Sequence, residues 1–187
     1  MNFELFHTDD IRVEYCDGTR RDIQRALDAC REERRPYLIT TPLTSNLSPL
    51  TSILVPVSML EEEVYKAEIC TYLARKTGAH LILLRARDYG SKAKQNTQRI
   101  ITHIQTIAER TGEEISYEVQ EAKRDSFSLH KDFHFEGWQH NLLLLTASRE
   151  YGLDDWLFGP PELYAIRHSQ VPVMLVNPRA DLFSLCD

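Results

Sequence analysis

Residues 141–179 constrain the fold most, because they predict two buried strands joined by a helix. Residues 142–145 (LLLL) are a continuous apolar run, typical of a strand covered on both faces of a sheet. Gly159-Pro160-Pro161-Glu162 favours a helix start, since proline fits the first turn and an acidic residue opposes the positive helix end. Residues 171–176 (VPVMLV) predict a second apolar strand. The segment therefore predicts a parallel βαβ unit, with a ligand crevice beside the loop after its first strand.

The composition is that of a globular chain. It has 187 residues, 42% of them hydrophobic and 27% charged, and a net charge of −6. No basic cluster is dense enough to suggest nucleic-acid binding, and no apolar run reaches the ~20 residues of a membrane helix. The first ten residues lack the basic and apolar regions of a signal peptide. Four cysteines lie far apart with no C-x-x-C motif, which favours reduced thiols and a cytoplasmic location.

The N-terminal part, residues 1–50, predicts a strand–helix–strand extension that ends in a linker. Residues 11–15 alternate and favour a strand, and Thr19-x-x-Asp22 resembles a capping box. The apolar spacing then predicts a helix to about residue 34, which Pro36 ends before a strand at 37–41. These elements cannot bury their own faces, so we expect them to dock on the main sheet or on a partner.

Residues 51–187 predict the main domain. Further strands are expected at 53–57, 80–85 and 115–119, with helices at about 60–76 and 91–110, and a weaker helical segment at 125–138. Gly78 and Gly112 favour helix C-terminal caps, and Ser91 an N-terminal cap. The alternation of strands and helices predicts an α/β fold with a doubly wound, open, parallel five-stranded sheet.

Several segments of this domain resemble universal stress proteins. They are the first strand ILVPV, the helix end ARKTGA, the strand HLILLRA, and Gly159 followed by VPVMLV. The resemblance covers roughly residues 53–178 and implies the strand order 3-2-1-4-5. In that family a carboxylate after the first strand binds the ribose of ATP, backbone groups near the end of the second strand bind adenine, and a glycine loop of the form G-x-x-G-x(9)-G-(S/T) binds the phosphates.

This chain departs from that nucleotide motif at most of its positions. Ser58 replaces the carboxylate, Thr146 and Arg149 replace the first two glycines, and Pro160 replaces the serine or threonine. By position in the motif, the candidate ligand-binding residues are Val57, Ser58, Arg85, Thr146, Ser148, Arg149, Gly159 and Pro160. We therefore expect a non-catalytic stress-response or regulatory protein without a cofactor, which acts through protein contacts. The alternative is a nucleotide-binding protein that uses Arg149 and Ser148 in a remodelled loop, with little or no ATP hydrolysis.

Two other features allow weaker hypotheses. His130 and His134 are spaced to share a helix face and could ligate zinc, but Phe133 and Phe135 interrupt the polar face and no H-E-x-x-H motif is present. We expect no metal site. The loop aromatics Trp156 and Phe158 could stack on a base, but their place before a helix favours a small core.

The last strand predicts how the protein assembles. In the order 3-2-1-4-5 it lies at an edge, and in universal stress proteins this strand pairs across a two-fold axis. We therefore expect a homodimer through this edge, unless residues 11–42 cover it. The edge residues are Val171, Val173, Met174, Leu175 and Val176. Residues 11–42 also resemble residues 115–147 in layout, which suggests a partial repeat of the domain; the alternative is an unrelated strand–helix–strand extension.

Overall fold

A computed structural model describes residues 11–33, 35–44, 49–133, 140–148 and 159–178 of the chain. They form a three-layer α/β structure around one seven-stranded sheet. The strands are β1 (Arg12–Tyr15), β2 (Tyr37–Thr40), β3 (Ser52–Val57), β4 (His80–Arg85), β5 (Tyr117–Glu121), β6 (Leu142–Thr146) and β7 (Val173–Val176). The α-helices are α1 (Arg20–Glu32), α2 (Lys66–Thr77), α3 (Lys92–Thr111) and α4 (Pro161–His168). No helix in these ranges has an apolar stretch long enough to cross a bilayer.

The sheet order is β1-β2-β7-β6-β3-β4-β5. From β3 onward the five strands are parallel and follow the predicted order 3-2-1-4-5. The N-terminal strands extend this sheet: β1 pairs parallel with β2, and β2 pairs antiparallel with β7. The expectation that residues 11–42 dock on the main sheet is therefore confirmed.

Two apolar layers enclose the sheet. On one face, Ile23 and Leu27 of α1 and Leu163 and Ile166 of α4 belong to a single buried cluster with strand residues. On the other face, α2 and α3 cover β3, β4 and β6 through residues such as Ile69. The central strands are buried on both sides, as their continuous apolar runs predict.

Local signals account for most helix ends. Thr19 caps α1 by accepting a hydrogen bond from Asp22 N at 3.3 Å, as the capping box predicts. Gly78 and Gly112 end α2 and α3 with positive φ angles of 71° and 69°. Ser91 is the N-cap residue of α3, as predicted, but its side chain makes no capping hydrogen bond, because its hydroxyl accepts one from Gln95 Nε2 instead.

The prediction that the last strand is an edge strand is wrong. Val173, Met174 and Leu175 pair with β2 on one side and β6 on the other, and Val176 also pairs with β6. Val171 precedes the strand and is buried. Because β2 covers this edge, the condition set for a homodimer through the last strand is not met, and a second copy cannot pair there.

The predicted likeness between residues 11–42 and 115–147 does not hold in the sheet. β1 and β2 are neighbours, whereas β5 is an outer strand and β6 lies between β3 and β7. Residues 125–138 were expected to be partly helical, and the described part contains a 3-10 helix at Leu129–Asp132.

Candidate functional site

The candidate site lies where β3 and β6 diverge at their carboxyl ends. β3 pairs with β4 from Ser52 to Val57, but with β6 only at Ile53 and Leu54. Val57 O accepts a hydrogen bond from Ala86 N on the β4 side, and Ser52 O accepts one from Asn141 N on the β6 side. Backbone groups alternate along a strand, so Pro56 faces β6, where its missing N–H cannot continue the ladder. The gap is the crevice that open α/β sheets use for ligands.

A buried ion pair fills one wall of this crevice. Lys66, which is 1% exposed, donates to the Pro56 carbonyl and pairs with the Glu63 carboxylate. Ser58 Oγ, at the position of the family's ribose-binding carboxylate, donates to Glu63 Oε1 at 3.0 Å. Asn96 Nδ2 fixes the loop by donating to the Ser58 carbonyl at 3.0 Å. Ser58, which replaces the family's ribose-binding carboxylate, is thus already hydrogen-bonded within the protein.

The backbone at the end of β4 is engaged in a similar way. Ala86 N donates to Val57 O at 2.9 Å, and Arg87 N donates to Arg124 O at 2.8 Å. Arg85 O accepts from Ala122 N at 2.8 Å, while the Arg85 guanidinium pairs with Glu121 at 3.3 Å. The resemblance assigns adenine binding to backbone groups in this region, and the three backbone groups named here each have a partner inside the protein.

The phosphate position, at the start of α4, holds a carboxylate of the protein itself. Glu162 lies in the first turn of α4 and is 6% exposed, and its Oε1 accepts a 2.6 Å hydrogen bond from Ser148 Oγ. Gly159 has φ +88°, and a Cβ there would meet Leu163 Cδ2 at 3.3 Å, so this glycine is required by the turn itself. Arg149 lies outside the described residues.

The segment after β5 folds over the same crevice. Ser126 Oγ donates to Asp88 Oδ2 at 2.5 Å and accepts from Met59 N at 2.9 Å, which ties the segment to the loops after β3 and β4. Leu129 and Phe133 are 4% and 5% exposed and belong to the same buried cluster as α4. The crevice is therefore filled by apolar side chains of the chain itself.

The remaining cavity has a volume of about 90 Å³. Ligand pockets are typically roughly 300–1,000 Å³, so this space is too small for a nucleotide. Two polar atoms that line it, His130 Nδ1 and Thr146 Oγ1, are buried without a hydrogen-bond partner in the described part of the chain. Burial lowers the pKa of His130, and its ring meets Tyr164 edge-on at 5.3 Å between centroids. The cavity suits ordered water or a very small polar molecule.

The structure brings most of the predicted site residues together. Ser58, Thr146 and Ser148 line the cavity, and Val57 ends the adjoining strand β3. Pro160 caps α4 directly after Gly159, whereas Arg85 ends β4 and points to an ion pair with Glu121. Sequence reasoning missed Glu63 and Lys66. Their i, i+3 spacing was the available signal, but nothing in the sequence marks this pair as buried.

The weaker hypotheses fall partly outside the described residues. His134, Trp156 and Phe158 are not described, so neither the histidine pair nor the aromatic loop can be placed. Within the described ranges, no group of three or more histidine, cysteine or acidic residues is positioned to hold a metal ion.

Several solved structures share this fold. A universal stress protein from Archaeoglobus fulgidus matches with a TM-score of 0.62 at 15% identity, over 96% of this chain and 64% of that chain. A putative universal stress protein from Pseudomonas aeruginosa matches with a TM-score of 0.53 at 15% identity, over 92% and 64%. A universal stress protein in complex with cAMP matches with a TM-score of 0.54 at 16% identity, over 71% of this chain and 100% of that chain.

These matches show that the chain has the universal stress protein fold. The match spans only 64% of the Archaeoglobus fulgidus chain and 64% of the Pseudomonas aeruginosa chain. No protein-family model and no curated protein sequence matches it.

Proposed function

We propose that this is a universal-stress-protein-like regulatory protein of the stress response, without catalytic activity, which acts through contacts with other proteins. The observation that carries the proposal is the closed crevice: protein groups engage the ribose, adenine and phosphate positions, and about 90 Å³ of space remains. ATP binding would require these hydrogen bonds to break and the segment after β5, residues 122–133, to move out of the crevice.

The start of α4 argues most directly against a triphosphate. A phosphate at a helix N-terminus is held by the backbone N–H groups of the first turn. Pro160 and Pro161 have no N–H, and the N–H of Leu163 donates to the Pro160 carbonyl. The buried Glu162 carboxylate would repel the phosphates at short range. Three of the four usual donors are therefore absent or engaged, and the local charge has the wrong sign.

The lack of catalysis in this proposal rests on the same contacts. Hydrolysis of ATP requires positioned phosphates and a group that orients the attacking water. The carboxylate nearest the ribose position, Glu63, is bonded to Lys66 and Ser58, and Glu162 is bonded to Ser148. Both acidic groups serve the packing of the crevice in this account.

Calorimetry on the full-length protein, shown to be free of nucleotide, tests the proposal. ATP with Mg²⁺ should give no binding heat up to millimolar concentration, and no ATP hydrolysis should exceed the background. Micromolar binding would overturn the proposal.

Ser58→Asp provides the matched variant, because it restores the carboxylate that the resemblance assigns to the ribose. If closure of the crevice prevents binding, this variant also fails to bind ATP. If it binds at micromolar strength, the missing carboxylate rather than the closure was the cause, and the proposal fails.

A second candidate function is binding of a smaller adenine nucleotide through a remodelled loop. The observation that favours it is the similarity in fold to a universal stress protein in complex with cAMP. Titration with cAMP in the same calorimeter tests it, and Arg149→Ala should abolish any binding that depends on the loop. Binding of cAMP that survives in Arg149→Ala would contradict the role given to this loop.

A further inference from the structure

Lys66 is the one buried lysine among the six of this chain, all of which the structure describes. It is 1% exposed, whereas the other five lysines lie at exposed positions. A buried ion pair adds little net stability by itself, because the cost of removing both charges from water offsets their attraction. The stability of the fold alone therefore does not account for a lysine at this position.

The Lys66 amine lies at the wall of the small cavity. Its Nζ donates to the Pro56 carbonyl and to Glu63 Oε2, and all three residues line the cavity of about 90 Å³. The other carboxylate oxygen, Glu63 Oε1, accepts from Ser58 Oγ at 3.0 Å, which holds the carboxylate in place. The amine thus lies beside the cavity together with a carboxylate that can accept its proton.

Two further polar atoms of the cavity suit an oxygen-containing ligand. Thr146 Oγ1 and His130 Nδ1 are buried without a hydrogen-bond partner within the described ranges, and both residues line the cavity. The threonine hydroxyl can donate to a carbonyl oxygen, and the imidazole nitrogen can bond to a hydroxyl in either tautomer. Buried polar atoms without partners cost free energy, so a ligand oxygen between them is stabilised.

The size and charge of the cavity restrict the ligand further. A water molecule takes about 30 Å³ in the liquid, so about 90 Å³ holds a molecule of roughly three or four heavy atoms. Two acidic residues, Glu63 and Glu162, line the cavity with one lysine, so an anion is disfavoured. Small aliphatic aldehydes have this size, carry no charge, and contain the carbonyl group with which a lysine amine forms a Schiff base.

We propose that Lys66 captures a small aliphatic aldehyde as a Schiff base in this cavity. Lys66 gives a proton to Glu63, and the neutral amine attacks the carbonyl carbon. A C–N bond forms, the π pair of the C=O bond moves to the oxygen, and the oxygen takes the proton from Glu63. Glu63 then removes a second proton from the nitrogen and gives it to the new hydroxyl. The hydroxyl leaves as water while the nitrogen lone pair forms the C=N bond.

The products are one water molecule and a protonated Schiff base, which carries the same positive charge as the ammonium it replaces. The ion pair with Glu63 therefore persists after capture. The bound aldehyde lies between Thr146 at the end of β6 and His130 in the segment after β5. This capture is a stoichiometric binding event without turnover, and it goes beyond the proposed function, which concerns nucleotides and protein contacts.

Reductive trapping on the folded, full-length wild-type protein tests the proposal. Acetaldehyde with sodium cyanoborohydride at neutral pH converts a Schiff base into a stable ethyl-lysine, which peptide mass spectrometry locates. Lys66 should be labelled at least about tenfold faster than the exposed Lys94, because Glu63 accepts its proton. A buried lysine with a purely structural role is shielded from the reagent. Labelling of Lys66 no faster than that of Lys94 would therefore overturn the proposal.

Hexanal, which carries the same aldehyde on a longer chain, is the size control. It should label Lys94 but not Lys66, and equal labelling of Lys66 by both aldehydes would overturn the assignment to this cavity.

Thr146→Val keeps the shape of the side chain but removes the hydroxyl, so labelling of Lys66 by acetaldehyde should fall about fivefold, the effect of one lost hydrogen bond. Thr106→Val, at an exposed position of α3, is the matched control and should leave the rate unchanged. Equal rates in the two variants would contradict the placement of the carbonyl oxygen beside Thr146.

Discussion

The molecule contains two βαβ units, the N-terminal unit β1-α1-β2 and the C-terminal unit β6-α4-β7. They differ most in the length of the loop between their first strand and their helix. In the N-terminal unit this loop has four residues, 16–19, whereas in the C-terminal unit it has fourteen, 147–160. The short loop ends in the Thr19 cap, whereas Ala147 and Ser148 at the start of the long loop line the candidate site.

Both units nevertheless place an acidic side chain of their own at the helix start. Asp22 accepts a 2.9 Å hydrogen bond from Asp17 N in the short loop, and Glu162 accepts a 2.6 Å hydrogen bond from Ser148 Oγ beside the long loop. A carboxylate there satisfies loop donors and opposes the positive helix end, which is the role that a bound phosphate plays elsewhere. In both units, therefore, a carboxylate of the chain itself lies in the first helical turn, where an anion would otherwise bind.

The largest expected effect comes from Leu38 and Met174, which pair directly with each other between β2 and β7. Leu38→Ala and Met174→Ala should each lower the free energy of unfolding by about 2–5 kcal/mol, because each leaves a cavity in one shared core. Urea unfolding followed by circular dichroism measures both. Val13→Ala, next to Leu38 in the sheet but 37% exposed, is the control and should cost about 0.5 kcal/mol or less. If only Met174→Ala is destabilising, the N-terminal unit is not part of the common core.

A smaller loss should follow when the link between the units is cut. Asn177→Ala removes three hydrogen bonds to the end of α1 and should cost about 1–3 kcal/mol, since buried carbonyls lose their donor. Thr41 directly follows β2, as Asn177 directly follows β7, and its Oγ1 accepts a 3.3 Å hydrogen bond from Leu43 N. Thr41→Ala should therefore cost less in the same assay. Equal losses would contradict the asymmetric role given to Asn177.

Substitution of the N-cap residue should destabilise α1 but should not remove a side-chain cap from α4. Thr19→Ala removes the side-chain cap of α1 and should cost about 1 kcal/mol, while Thr19→Ser should retain most of the stability. Pro160 provides no side-chain cap, so Pro160→Ala should show no loss of that kind. Thermal unfolding of the three variants makes the comparison, and an unchanged Thr19→Ala would show that the short loop does not depend on its cap.

The smallest effect concerns pH and the cavity of the C-terminal unit. Burial lowers the pKa of His130 in the folded protein, so the unfolded chain binds a proton more readily than the folded one. Stability from this group is present above a pH of about 6.5 and is lost as the pH falls through the lowered pKa. His130→Gln should therefore show a shallower loss of stability between about pH 7 and 5.

His103 is the control for that measurement, since burial also lowers its pKa but it lies on α3, away from the cavity. His130→Gln and His103→Gln should each remove part of the slope, and only the first should alter the packing against Tyr164. A slope that is unchanged in His130→Gln would show that its ring is not held neutral by burial.

Local patterns were sufficient for the elements of the main domain. The continuous apolar runs of β3, β4, β6 and β7 marked buried strands, and their alternation with helices predicted a parallel sheet. The order of these strands was implied by the resemblance to universal stress proteins. Gly78 and Gly112 marked helix ends because only a left-handed residue fits there. These signals act over a few residues, so one sequence contains them completely.

The pairing of β2 with β7 was not predictable in the same way. It joins residues about 136 positions apart, and nothing in either four-residue strand specifies the other. Pro36 and Pro172 each directly precede one of these strands. The sequence analysis instead compared residues 11–42 with residues 115–147. At the site, Ser58, Thr146 and Pro160 differ from the family's nucleotide motif, and the loss of ATP binding stays a prediction. The buried Lys66–Glu63 pair could not be foreseen, because its burial depends on the gap that Pro56 opens between β3 and β6.

The most direct test of the central claim, that the protein's own groups close the crevice, is calorimetry with ATP and Mg²⁺ on nucleotide-free, full-length protein. The account predicts no binding heat up to millimolar ATP, for the wild type and for Ser58→Asp alike. Binding at micromolar strength by either protein would show that the crevice opens to a nucleotide, and would contradict the account.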